Sequence, residues 1–340
     1  MLRNLAPSVR RTLLAGALTL SAAAAPAAAS GDGWYADFDV AAEVAKKENK
    51  DLLVDFTGSD WCGWCIKLDN EVFSEEVWQK GVEKEYVLVA LDFPNADELK
   101  AQVPNPERNR ELQDKYGVRG FPTILMMTPD GEVYGQTGYQ SGGPENYLEH
   151  MAELRENRAL MFEAMELAEK FDGVEGDARW TTAAAMMELS AKFDATQPFA
   201  RHLEAGMRWA FEEDADNARG VRLGAAAFLL ARGDDASDYY QVVLDLDPKN
   251  EGGFLERAVA TRFDIVRDDE SARAALAALE LLGDLKVQDK ELYFGMLFNA
   301  AMWSRGPLQD EEGAKKYAKK ALEVGTDDKQ RREAIEQILG

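Results

Sequence analysis

The sequence of 340 residues predicts an α/β unit, with a mixed central sheet flanked by helices, followed by an all-α unit. Three observations predict this. Every β-like run falls before about residue 140, and the remainder of the chain reads as alanine-rich helix with short polar breaks. The chain has two cysteines, Cys62 and Cys65, placed directly behind one of the strand-like runs.

At the N-terminus, Arg3, Arg10 and Arg11 precede the apolar run Leu13 to Leu20 and an alanine-rich stretch ending Ala27-Ala28-Ala29-Ser30-Gly31. This is the layout of a secretory signal peptide over residues 1–29, cleaved after Ala29. Val9-Arg10-Arg11-Thr12-Leu13-Leu14 is a partial twin-arginine pattern lacking Ser beside the arginine pair, so both export routes stay open. No stretch approaches the roughly 20 apolar residues of a membrane helix. The mature chain is therefore expected to be periplasmic or secreted, without membrane insertion. Losing residues 1–29 removes three positive charges and no negative one, taking the formal charge from −23 to −26. Such a charge repels nucleic acid and anionic membrane surfaces, which excludes them as expected partners. The mature length exceeds one typical domain, and the expected division is 30–153 and 154–340.

Within the first unit, Ala36 to Asn49 places Phe38, Ala41, Val44 and Ala45 on one face and predicts a helix packed on the sheet. Asp51-Leu52-Leu53-Val54-Asp55-Phe56-Thr57 holds the apolar run of a buried strand, broken at Gly58 and Ser59, and a helix is expected after Cys62. Ser74 is a plausible N-cap for a continuation to Glu83. Tyr86 to Asp92 is the next strand, and a strand–helix–strand unit of this kind is parallel and right-handed. Phe93 to Pro106, with three prolines, reads as a long loop, and Glu107 to Tyr116 as a short helix stopped by Gly117. Pro122 opens the strand Ile124 to Thr128, Pro129-Asp130-Gly131 turns, and Glu132 to Thr137 completes a hairpin. Another helix is expected from Pro144.

A strand–turn–helix junction puts Cys62 at a helix N-terminus, where unpaired N–H groups and the helix dipole stabilise a thiolate. Cys65, one turn on, lies within bonding reach and suits a resolving thiol. Three other readings compete. A structural staple closing so short a loop removes little unfolded-chain entropy. A zinc site needs about four Cys or His ligands, and only His150 and His202 could join. Two inert buried thiols sit poorly with Asp60, Trp61 and Trp64 around them. The residues favour a redox pair, which needs no cofactor and no metal.

The order strand, W-C-x-x-C helix, strand, helix, then Phe121-Pro122-Thr123 leading into a hairpin and a last helix resembles the thioredoxin fold. The string Val54-Asp55-Phe56-Thr57-Gly58-Ser59-Asp60-Trp61-Cys62-Gly63-Trp64-Cys65, with Lys67-Leu68 and Glu71-Val72-Phe73, is similar to exported thioredoxin-like proteins. These are related to the C-terminal domain of the periplasmic Dsb-type electron-transfer protein. The likeness covers roughly residues 34–155. It implies that Cys62 attacks and Cys65 resolves, and that Pro122 is a cis-proline facing them, whose neighbouring backbone pairs with an extended substrate segment. In this family the cis geometry also keeps a metal from settling between the thiols. Trp61, Gly63, Trp64 and Phe121 would contact substrate. Two departures stand out. Trp64 replaces the proline of C-G-P-C, leaving the direction of electron flow open. Asp55 resembles the buried aspartate that moves a proton for the resolving cysteine, with one extra residue before Cys62; a strand-end carboxylate is the plainer reading.

In the second unit, breaks at Phe171-Asp172-Gly173, Gln197-Pro198, 214–217, 232–234, 247–250, 283–284, 306–307 and 325–328 leave about ten helices. Leu246-Asp247-Pro248-Lys249-Asn250 with Phe254-Leu255 and Ala258 resembles the junction of tetratricopeptide-like hairpins, which stack into a solenoid. An irregular bundle is the alternative. The aromatics from Trp180 to Trp303 are spaced for packing. Two functions are expected from these features: an exported thiol–disulfide oxidoreductase acting on protein partners, or a scaffold whose helical repeats bind partners and whose thioredoxin-like unit only docks.

Overall fold

The computed structural model describes residues 33–233 and 237–340, so the leader-like segment 1–29 lies outside the described residues. Five strands form one sheet: β1 (Trp34–Tyr35), β2 (Asp51–Thr57), β3 (Tyr86–Asp92), β4 (Thr123–Met127) and β5 (Val133–Thr137), in the order β1-β3-β2-β4-β5. β2 pairs parallel with β3, and antiparallel with β4. β2 is central and buried from Asp51 to Phe56, as a strand covered on both faces must be.

α1 (Phe38–Glu48) starts at an Asp37 side chain that accepts the Val40 N–H and stops at Asn49 in the left-handed conformation. It covers one sheet face together with α5 (Pro106–Lys115); Phe38, Ala41, Leu52, Val54, Phe56, Leu112 and Leu125 share that core. The other face carries α2 (Gly63–Leu68), α3 (Glu76–Val82) and α6 (Gly143–Asp172), packed through Leu53, Leu68, Phe73, Trp78, Ile124 and Tyr147. The long loop after β3 contains one short turn of helix, α4 (Asp97–Lys100).

Ser74 is not a helix N-cap. The cysteine helix runs on into a π-helical turn, Asp69–Phe73, and the Ser74 N–H bonds back to Asp69 O, so Ser74 closes that helix. α3 then starts behind Glu75 with no side-chain cap. β1 has no counterpart in the sequence expectations, because two residues are too short for any periodicity to register.

The helical region continues from α6 through α7 (Gly176–Ser190), α8 (Glu204–Glu213), α9 (Arg222–Ala231), α10 (Ser237–Leu246), α11 (Phe254–Asp264), α12 (Asp269–Glu280), α13 (Lys290–Arg305), α14 (Glu311–Val324) and α15 (Lys329–Leu339). Asp214 and Asp247 repeat one device. Asp214 accepts the N–H groups of Arg219, Val221 and Arg222. Asp247 accepts those of Gly252, Phe254 and Leu255. Three residues after each comes an asparagine with positive φ, Asn217 and Asn250. Asn250 is fully buried and hydrogen-bonded to Glu256, which also takes the Gln288 and Asp289 N–H groups.

Candidate active site

The site is built at the C-terminal ends of β2 and β3. Register places Phe56 opposite Thr123, so the chain just before β4 lies beside the turn leaving β2. That turn, Gly58 to Trp61, is tied down by three successive side chains. Ser59 donates from its backbone N–H and its hydroxyl to the Asp92 carboxylate, at 2.9 and 2.6 Å. The Asp60 carboxylate accepts the backbone N–H groups of Asn95 and Ala96, which holds it below its ordinary range. Trp61 Nε1 donates to Phe93 O at 2.8 Å, and a Cβ on Gly58 would stand 2.5 Å from that indole ring. Glycine is therefore required at 58 by close approach.

Cys62 and Cys65 are joined as a disulfide, with Cα atoms 5.2 Å apart. Cys62 is the N-cap of α2, in an extended conformation, and its Sγ accepts the Cys65 N–H at 3.2 Å. Both are nearly buried, 6% and 4% exposed, whereas Trp61 and Trp64 beside them are 46% and 58% exposed. Gly63, the first residue of α2, is exposed between them.

The Phe121–Pro122 peptide is cis. Thr123 Oγ1 donates to Gly120 O at 2.8 Å and closes that turn, while Phe121 meets Trp61 edge-on at 5.6 Å and Phe93 at 5.2 Å. The aromatic contact joins the loop before β4 to the cysteine turn and the loop after β3.

Behind the cysteine helix is a cavity of about 740 Å³ whose wall includes Asp55, Cys65, Asp69, Asp92, Gln79 and Trp34. Asp55 is 8% exposed, and its Oδ1 is buried without a hydrogen-bond partner. Burial pushes the Asp55 carboxyl up to about 8, with the carboxylates of Asp69 and Asp92 adding to the shift. In the disulfide form Asp55 therefore carries a proton at neutral pH. Sequence reasoning singled out Asp55 but neither acidic neighbour. Asp69 could have been found, since it lies one helical turn beyond Cys65; Asp92 needed the pairing of β3 with β2.

Among the described residues no group of three or more His, Cys, Asp and Glu side chains is placed to hold a metal ion. His150 bonds Thr137 Oγ1 at 2.8 Å and His202 bonds Glu132 at 3.2 Å, so neither joins the cysteines. Among the described residues no helix is long and apolar enough to cross a membrane.

A thioredoxin-like domain model matches residues 38–154. The chain is 30% identical over 125 residues to the disulfide bond reductase DsbH of Chlamydia pneumoniae, an alignment covering 36% of this chain and 72% of that protein. It is 28% identical over 116 residues to the thioredoxin-related protein DsbJ of the same organism, covering 32% of each. A solved structure of DsbH oxidoreductase aligns at 25% identity over 44% of this chain and 94% of that one, with a TM-score of 0.32. On the domain match and the similarity to DsbH, the chain belongs to the thioredoxin-like family, among the Dsb-type thiol–disulfide oxidoreductases.

Proposed function

We propose that this chain is exported and exchanges disulfides with protein partners through Cys62 and Cys65. In the reducing direction the Cys62 thiolate attacks a partner disulfide, forming a mixed disulfide and releasing the partner's first thiolate. Cys65 then attacks Cys62 Sγ, restoring the Cys62–Cys65 bond and releasing the second thiolate, so two electrons pass to the partner. The observation that carries this reading is Cys62 at the helix N-cap, its sulfur already accepting the Cys65 N–H, an arrangement that favours the thiolate.

Asp55 is the proton carrier of the cycle. Protonated in the disulfide form, it gives a proton to Cys65 when the bond opens, and takes one from Cys65 when that sulfur must attack. Trp61, Gly63, Trp64, Phe121 and cis-Pro122 form the rim on which a partner segment lies.

The helical region, from about residue 154, is the unit that positions a partner, on a tetratricopeptide-like plan. The repeated Asp214/Asn217 and Asp247/Asn250 junctions support this reading. They equally favour the alternative of a scaffold in which exchange plays no part, and two experiments divide the readings. The equilibrium potential of the cysteine pair, followed by tryptophan fluorescence in thiol buffers, gives the direction: near about −270 mV it is a reductant, near about −120 mV an oxidant. Cys65→Ser should accumulate mixed disulfides on Cys62. A pair that never cycles, and no trapped partner, would leave the scaffold.

A further inference from the structure

Three large apolar side chains beside the disulfide, Trp61, Trp64 and Ile66, are each more than 40% exposed; in the same unit only Val77 of α3 matches them among the described residues. Trp64 is the most open of these, yet its ring is held. Tyr139, in the segment between β5 and α6, packs its ring 5.1 Å from that of Trp64 at 41°. The Lys67 ammonium lies 5.2 Å from the Trp64 ring and 4.8 Å from the Tyr139 ring. The Tyr139 hydroxyl donates to Glu71 Oε2 at 2.6 Å, and Glu71 pairs with Lys67 at 3.8 Å. The four groups close a circuit that fastens one face of the cysteine helix to the segment after β5, because residues 64, 67 and 71 share a helical face.

We propose that Tyr139 is a specificity-determining residue: with Lys67 and Glu71 it fixes Trp64 as a rigid apolar wall that receives an aliphatic or aromatic side chain next to a partner's cysteine. The inference rests on the exchange reaction proposed above. An aromatic ring ordered before contact loses little rotamer freedom on binding, so its contact with a partner is stronger. The Lys67 charge is matched by Glu71, so the wall has no net charge to recruit an acidic or basic side chain. An uncharged apolar group is what fits it.

The test uses the mature chain with dithiothreitol as the two-electron donor that re-reduces Cys62–Cys65, its direct reaction subtracted, and three substrates: hydroxyethyl disulfide, and two peptide disulfides identical except for Leu or Ser beside the cysteine. The wild type should show a KM about tenfold lower for the Leu peptide. Tyr139→Ala should raise that KM about tenfold with kcat held within about twofold, removing the preference, while Tyr139→Phe, which keeps the ring and loses the bond to Glu71, should fall between. Failure of the wild type to turn over hydroxyethyl disulfide sinks the exchange reading itself. Turnover of it, with the Leu preference intact in Tyr139→Ala, overturns the role of Tyr139 alone. So does an equal slowing on all three substrates, which would mark a merely structural residue.

Discussion

The proton-carrying role proposed for Asp55 would couple chemistry and stability through a single carboxyl. Its value in the folded disulfide form is about 8, against 3.8 for an ordinary aspartate. Below 3.8 both folded and unfolded chains hold the proton, and the group makes no difference. Between 3.8 and about 8 the unfolded chain releases it and the folded chain does not, so stability falls as pH rises, by up to about 1.4 kcal/mol per pH unit. Above about 8 the slope ends. Asp55→Asn should therefore flatten the pH dependence of unfolding across that window and gain most at alkaline pH, while slowing the step that needs Cys65 deprotonated. Chemical denaturation at several pH values checks the first effect and rapid-mixing kinetics the second; an unchanged slope would mean the carboxyl already ionises near its ordinary value. That Asp55 is buried was legible in its place on an apolar strand just before the cysteines. The burial that dominates its raised value was legible there too; the further push from Asp92 was not, because Asp92 approaches only once β3 lies beside β2.

At the scale of elements, the strands and the long helices are set by pattern. β3 spans the apolar run Tyr86 to Asp92, and most breaks between helices fall at Gly, Pro and Asx residues; α11 stops at Ile265-Val266-Arg267, which has none of these, and that break lies outside the expected set. What pattern does not carry is the geometry that long-range hydrogen bonds impose. The seating of the loop after β3 belongs to this class, whereas the π-helical turn after α2 rests on the local bond from Ser74 N–H to Asp69 O. Ser59, Asp60 and Trp61 each bond into 92–96, so the residues just ahead of Cys62 act as a clasp on that loop, whose Leu99, Gln102 and Val103 wall the cavity beside Cys65. In Asp60→Ala the Asn95 and Ala96 amides lose their acceptor. Their hydrogen exchange should rise at least about tenfold, while the buried strand amides of β2 keep their protection. Slow exchange at both amides in the variant would show that Trp61 and Ser59 suffice to hold the loop.

For the whole molecule, α6 decides how the two units behave together. It is one unbroken helix of 30 residues whose first part packs on the sheet and whose last part enters the helical region. The expected division at 153/154 falls inside it. Just past that point Arg158 reaches back to the buried Asp51 carboxylate, which also accepts the Tyr134 hydroxyl, and Arg155 pairs with Glu85. At the same end of the sheet, where Leu52 pairs with Met127, Glu132 of the hairpin turn takes both Arg201 and His202 from the helical region. One apolar cluster runs without interruption from Trp34 through Met161 and Phe171 to Ile338. A structure tied this way should unfold in a single calorimetric transition, with equal calorimetric and van't Hoff enthalpies. Arg158→Met strips Asp51 of its cation and leaves the carboxylate buried with Tyr134 alone, at a cost of about 1–3 kcal/mol, the lower end favoured because the arginine is partly exposed. That variant should shift the whole transition downward rather than split it. Two resolved transitions in the wild type, of which Arg158→Met moves only the one belonging to the sheet, would show that α6 links the units mechanically without making their folding one event.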